Sequence, residues 1–466
     1  MRRFAGVAAL VAVALSSSPA AANGRFPATT NIRFHPTDPD FFIVPATFGL
    51  LVTKDGGASF QWVCELAIGY TGTYDPDYVI TEDGDIYATT FDGLRVSRDQ
   101  GCSWEPVGPP LDADKFISQI ERGPDGRIWA VTSSGGDNNM VYVSDDGQSF
   151  HGVLGQSDFD PRPKVLDPTW WLSVVTTPAD VNRVYVTAYY PDSPSRAILR
   201  RKTTADDTVW DDIPLDDINF GEANPFFYLV GVSPTNADVL FGRAVAVVPP
   251  LGDALYRSTD GGEHWTKVLE FQQTMNAFTI RSDGMTVIAG SQRPCADEEP
   301  STDHGCVRIS TEAGAEGTWQ PAESQPQLGC LGERSDGKLF ACGYNFAPDF
   351  FAVGSSDTAQ TWDSIFRFKD FAEQPAQDMP LVCPSDTVQG STCVGQQWPT
   401  TACYDLQLDL PMCLLPDGGA AATDAGTTGD GDGGGCCRAS GTAPTGRALP
   451  ALFVVLGLFW MRRRRR

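Results

Sequence analysis

The chain is short of most features that announce an enzyme or a nucleic-acid binder. It has four histidines, His35, His151, His264 and His304, scattered without the spacing of a zinc site. Lys and Arg number 34 against 59 Asp and Glu, a formal charge of -25. A chain with no basic face cannot displace phosphate counterions, which excludes nucleic acid as a partner. Apolar residues at helical spacing are scarce, which disfavours an α-helical fold. No Gly-x-Ser-x-Gly elbow and no Arg-Ile-Pro tripeptide occurs. Gly332 to Lys338 has the spacing of a phosphate-binding loop, but Leu339 stands where Ser or Thr would meet magnesium. Asp430-Gly431-Asp432 hints at calcium, yet the glycines that follow supply no side-chain oxygen. No cofactor, metal or catalytic group is therefore assigned.

What is abundant is glycine, 47 residues, together with aromatics and short β-rich runs separated by Gly, Asp and Pro clusters. One turn recurs, seen best at Ser258-Thr259-Asp260-Gly261-Gly262-Glu263-His264-Trp265. Short polar side chains bond nearby amides, Gly takes positive φ, and the aromatic ring packs beneath the hairpin. Good copies are Thr53 to Phe60 with Asp55, and Ser97 to Trp104 with Asp99. Two depart at one position: Asp145 with Phe150 has Val143 where Ser is expected, and Asp357 with Trp362 has Ala359 for Gly. Two are eroded: Thr203 to Trp210 has Ala205 for the Asp, and Ser310 reaches Trp319 two residues late. Upstream of each lies a second turn. Four are Asp-Gly (Asp83-Gly84, Asp125-Gly126, Asp283-Gly284, Asp336-Gly337), and three are Pro-led, starting at Pro36, Pro178 and Pro234. Seven alternating pairs of turns predict seven repeats of four strands, the first being 31–34, 41–45, 50–54 and 60–66.

The turn motif resembles the Asp box of sialidase-like (BNR) repeats. The Pro-led turns resemble repeats of sortilin-type, photosystem assembly-factor and xyloglucanase propellers, over about residues 30 to 368. The resemblance implies an all-β fold, a single seven-bladed β-propeller over 23–368. It also implies that the box residues Asp55, Asp99, Asp145, Asp260, Asp357, Phe60, Trp104, Phe150, Trp265 and Trp362 are structural rather than catalytic. The sialidase-like active site it would predict is missing its first Arg motif, because the corresponding strand reads Ile32-Arg33-Phe34-His35-Pro36. A xyloglucanase-like site needs two acids across a cleft, and many acids qualify here.

Arg2-Arg3, the apolar run from Phe4 to Leu15 and Ala20-Ala21-Ala22 read as a signal peptide over 1–22. In an exported chain, twelve cysteines point to disulfides. Ten fall in neighbouring couples, Cys64/Cys102, Cys295/Cys306, Cys330/Cys342, Cys383/Cys393 and Cys403/Cys413. The turn Ser335-Asp336-Gly337 sets Cys330 opposite Cys342, and Cys295 with Cys306 closes an acidic insertion. Residues 369–413 are expected to form a Cys-rich, disulfide-stapled appendix, and 414–447 a Gly/Ala/Thr/Asp-rich linker. The end of the chain, with Cys436-Cys437, an apolar run over 448–461 and Arg462 to Arg466, resembles a myxobacterial C-terminal sorting signal. That resemblance implies a surface tether, a sorting protease and lipid at Cys436 or Cys437, and a membrane contact through the tail.

The expectation for function is an exported, surface-tethered binding or scaffold module taking a protein or glycan at one propeller face. An extracellular glycoside hydrolase is the alternative. Trp170-Trp171 and Tyr189-Tyr190 could stack on sugar rings or be blade core.

Overall fold

The structure is a computed structural model, described over residues 27–408 except 71–73, 113–114, 136–137, 156–167, 192–193, 221–224, 246–251, 346–350, 374–378, 404–405 and 407. The expected signal peptide over 1–22, Cys413, Cys436, Cys437 and the C-terminal end lie outside the described residues. Seven antiparallel sheets of four strands form seven blades, each from consecutive strands in the order 1-2-3-4. The first strands are Arg33–Phe34, Tyr78–Ile80, Ile117–Arg122, Trp170–Thr176, Phe226–Val232, Met275–Ile280 and Leu328–Glu333. They contact one another in sequence and form the inner ring of a seven-bladed β-propeller.

Burial explains the composition of the strands. Second strands such as Phe42–Ala46 and Ile128–Thr132 are buried at all five positions, because the neighbouring blades cover both faces of the sheet. Such a strand reads as a continuous apolar run rather than an alternating one. Outer strands Glu105–Pro106 and Gln320–Pro321 are exposed and polar or Pro-containing, which blunts the free edge. The first blade, Arg33–Phe34, Phe42–Ala46, Gly49–Thr53 and Gln61–Val63, follows the expected strands with boundaries moved by up to three residues.

Among the described residues no strand is exchanged between the first and last blades. Their seam is packed by Phe34, Phe42 and Phe340, with ring centroids 5.2–5.8 Å apart in the pairs that also include Phe60. After the last blade the chain crosses this seam. The Trp62 amide donates to Met379 O and the Leu381 amide to Trp62 O, so the crossing segment extends the outer edge of blade one. A wide helix over Gln389–Ala402 follows, with Trp398 buried against Trp62 and Phe371.

This packing corrects the cysteine couples. Cys64 is bonded to Cys393 and Cys102 to Cys383, not Cys64 to Cys102 or Cys383 to Cys393. Cys64 follows the outer strand of blade one and Cys102 precedes that of blade two, whereas the C-terminal segment, pairing parallel to blade one at Trp62 and Pro380, passes both. The segment does not stand alone: Trp398, Cys403 and Leu406 share one core with Phe42 and Trp62. Cys295 is bonded to Cys306, and Cys330 to Cys342 across directly paired positions. Cys403 is also disulfide-bonded.

Candidate functional site

The ring has two ends. One, the turn face, carries the turns between first and second and between third and fourth strands. The other, the loop face, carries the hairpins between second and third strands and the links from blade to blade.

On the turn face the recurring Ser-x-Asp turn is built as the sequence suggests. Ser258 Oγ donates to Asp260 and accepts from the Gly262 amide, while Asp260 accepts from the His264 amide at 3.0 Å. Thr53 with Asp55, and Ser97 with Asp99, repeat this bond for bond. Burial tends to raise these carboxyls, but the bonds from Ser59 and Ser103 outweigh it and hold Asp55 and Asp99 below their ordinary value. Trp265 is buried against Phe227 at 5.2 Å, and Phe60 against Phe366 at 4.7 Å. Phe150 is buried, while Trp104 and Trp362 pack half-buried against neighbouring cores.

Two of the assigned acids are one residue out of place. In the third blade Ser144 Oγ donates to Asp146, which accepts from the Gln148 and Ser149 amides, so the turn acid is Asp146. Asp145 instead pairs with Arg127 at 2.7 Å. In the seventh, Ser356 Oγ accepts from the Thr358 and Ala359 amides, and Thr358 accepts from the Gln360 amide. Thr358 holds the acid's place and Asp357 contributes its carbonyl, to Arg281. The fourth blade follows the same pattern, with Asp206 accepting from the Thr208 amide, so its turn has an acid after all. All three turns have one residue fewer between acid and aromatic. Counting back from Phe150 or Trp362 with the spacing of Asp260 therefore lands one residue early.

The Ser149 and Gln148 amides hold the Asp146 carboxyl down to about 2. A depressed carboxyl contributes stability above its unfolded value of 3.8, lost as pH falls through about 2. Asp146→Asn is expected to cost about 1 kcal/mol at neutral pH, after allowance for solvent screening, and nothing near pH 2. Asp145→Asn should cost less, as an exposed ion pair. Melting curves of both variants from pH 2 to 7 check the register; equal losses at neutral pH would contradict it.

On the inner ring one ionisable cluster draws on blades one to three, with Thr176 of blade four beside it. Arg33 meets Asp77 at 2.7 Å, and Thr176 Oγ1 donates to Glu121 at 3.4 Å. Burial pushes Glu121 up to about 7, with Arg33 opposing and Asp77 adding to the rise. Sequence reasoning passed over this cluster because its members stand on three different repeats with nothing to link them. On blades five and six the half-buried inner-strand residues include the apolar Val230, Phe278 and Ile280.

The loop face carries two aromatic clusters. At blades two and three, Phe91 is 45% exposed, stacked on Phe116 at 4.9 Å and touching Tyr74 at 4.7 Å. At blades four and five, Tyr189 stacks on Phe226 at 4.5 Å, and half-buried Trp170 lies 5.9 Å from Tyr189. Arg196 covers Tyr190 at 4.2 Å and Arg243 covers Tyr228 at 5.1 Å. Trp170-Trp171 and Tyr189-Tyr190 thus divide: Trp171 and Tyr189 are buried, while Trp170 and Tyr190 reach the surface. Phe91 sits in a tight Thr90-Phe91-Asp92-Gly93 hairpin, where an aromatic has no core to fill; that was the available signal.

Cys295, Asp297 and Glu298 also converge. The Cys295 sulfur is bonded to Cys306, and both carboxylates meet buried Arg308 at 2.9 and 3.1 Å, so the donors are already used.

The fold has solved neighbours. YCF48 from Cyanidioschyzon merolae matches at 12% identity over 68% of this chain and 93% of its own, with a TM-score of 0.41. The β-propeller domain of the Trilobed protease from Pyrococcus furiosus matches at 10% identity over 73% and 98%, with a TM-score of 0.45. An ancestral GH74 enzyme matches at 12% identity over 72% and 68%, with a TM-score of 0.33. These likenesses concern the fold alone and assign no activity. No family model and no curated protein matches the sequence.

Proposed function

We propose that the protein is an exported, surface-tethered binding or scaffold module that takes a protein or glycan ligand on the loop face. The observation that carries this reading is the pair of aromatic clusters there, each with rings open to solvent in a ring whose turn-face acids are bound to their own turns. Half-exposed Phe, Trp and Tyr on a rigid scaffold give contact area at little entropic cost. The four disulfides fit an oxidising compartment, and export would follow from the residues 1–22 signal. The tail with Cys436 and Cys437 would supply the tether.

A glycoside hydrolase remains the second reading, favoured by one observation. A carboxyl held near 7 is protonated often enough at neutral pH to act as a general acid, and Glu121 stands beside a second carboxylate, Asp77. The folded protein presented to a glycan array, a panel of surface proteins and a set of glycoside substrates separates the two. Binding without turnover is expected; turnover abolished by Glu121→Gln would replace the binding reading by the hydrolase.

A further inference from the structure

Among the described residues the ring's first and last blades exchange no strand, and the disulfides that tie the chain beyond blade seven back to blades one and two come from residues 379–403. This segment leaves blade seven, pairs with the Trp62 edge of blade one and reaches blade two through Cys383. Gln389 is fully buried beneath it, accepting from the Cys64 amide and donating to Trp62 O. Its disulfides at Cys393 and Cys383 span 329 and 281 residues, so they tie distant parts of the chain rather than local loops.

The four disulfides with both partners among the described residues differ in access. Cys295, Cys306, Cys330, Cys342, Cys64 and Cys393 are all buried, whereas Cys102 and Cys383 are half-buried. Thiol–disulfide exchange requires that the attacking thiolate reach a sulfur, so access orders the reactions. We propose that residues 379–403 form a thiol-sensitive lock on the ring, opened by reduction of Cys102–Cys383 first and of Cys64–Cys393 only after the segment loosens.

The chemistry balances with a dithiol as reductant. Its thiolate attacks one sulfur of Cys102–Cys383, the S–S bond breaks, and the departing thiolate takes a proton. The second thiol of the reductant resolves the mixed disulfide. Two electrons and two protons pass to the protein, which holds two thiols, and the reductant leaves as a cyclic disulfide. Release of this bond frees the blade-two end of the lock. The Trp62 edge pairing then keeps Cys64–Cys393 as its covalent tie, and once that bond is reduced in turn the seam between blades one and seven rests on non-covalent packing.

The test is a titration of the folded, oxidised protein with dithiothreitol, read by timed alkylation and by hydrogen exchange. Cys102 and Cys383 are expected to be alkylated about tenfold or more ahead of Cys64, Cys393, Cys295, Cys306, Cys330 and Cys342. Exchange should accelerate at the outer strand Gln61–Val63 and at Asp363–Phe366, both beside the seam, while the fourth blade's Val184–Tyr190 stays unchanged. The double variant Cys102→Ser/Cys383→Ser should show the same local acceleration without reductant. Equal alkylation of Cys295–Cys306 or Cys330–Cys342, unchanged exchange at the seam, or acceleration spread evenly over all blades would overturn the proposal. If the variant does not fold, the titration of the native protein alone decides.

Discussion

Asp207→Ala is expected to destabilise the protein by about 3–5 kcal/mol, although Asp207 is no part of any proposed site. Lys202 has a side chain only 1% exposed, and its charge is met by Asp207 at 3.2 Å. The same carboxylate receives both terminal nitrogens of Arg127 from blade three, so three charged groups lock two blades together. Trp129, fully buried beneath them, takes the faces of both cations, at 5.2 Å from Arg127 and 5.9 Å from Lys202. Removing the carboxylate leaves a desolvated ammonium with only the Asn182 carbonyl, at 3.4 Å. The penalty is that of the stranded charge, not the net worth of the pair, so Asp207→Ala/Lys202→Met should recover most of the loss. Denaturant melts of the single and double variants check this; a double variant no more stable than the single would mean that the loss comes from packing.

Trp265→Ala should cost about 3–5 kcal/mol as well, by a different mechanism. Trp265 is 6% exposed and meets Phe227 edge-on at 5.2 Å, in a core shared with Tyr185, Leu240 and Tyr256. Truncation removes the ring and leaves a cavity between β-strands whose backbones are fixed by their ladders, so the site cannot collapse. Trp210→Ala should cost less, because Trp210 is only half-buried and its truncation removes less desolvated ring surface. An unchanged melting temperature for Trp265→Ala would remove the argument that the turn aromatic is a structural plug.

The blade count and the strand order were legible because each repeat marks its own turns. Asp-Gly at Asp83-Gly84 and Asp336-Gly337 requires positive φ, and the structure gives Gly84 and Gly337 φ of 83° and 84°. The Cys330 and Cys342 pairing was legible for the same reason, since a defined turn fixes register. The Asp146 and Thr358 turns were not, because a one-residue deletion leaves the composition of the motif intact while moving the acid. The long disulfides were hidden because chain proximity carries no information about a segment that returns to the first blade after 281 or more residues. The Arg33, Asp77 and Glu121 cluster was hidden similarly, as the ring assembles it from separate repeats. Of the loop-face aromatics, Trp170 and Tyr190 stood out in the sequence. Phe91 and Phe116 did not, as single aromatics in β-rich runs read as core.

The claim that matters most is that the loop face, with its open aromatic rings, is the binding surface. For a ligand returned by the array or the protein panel, the direct measurement is the Kd of the native protein beside Phe91→Ala and Trp170→Ala, with melting temperatures recorded together. The account predicts that at least one of the two weakens binding on the order of tenfold or more with little change in melting temperature, while Asp260→Asn leaves Kd unchanged. Unaltered affinity in both aromatic variants, or affinity lost with Asp260→Asn in a normally folded protein, would contradict it and move the site to another part of the ring.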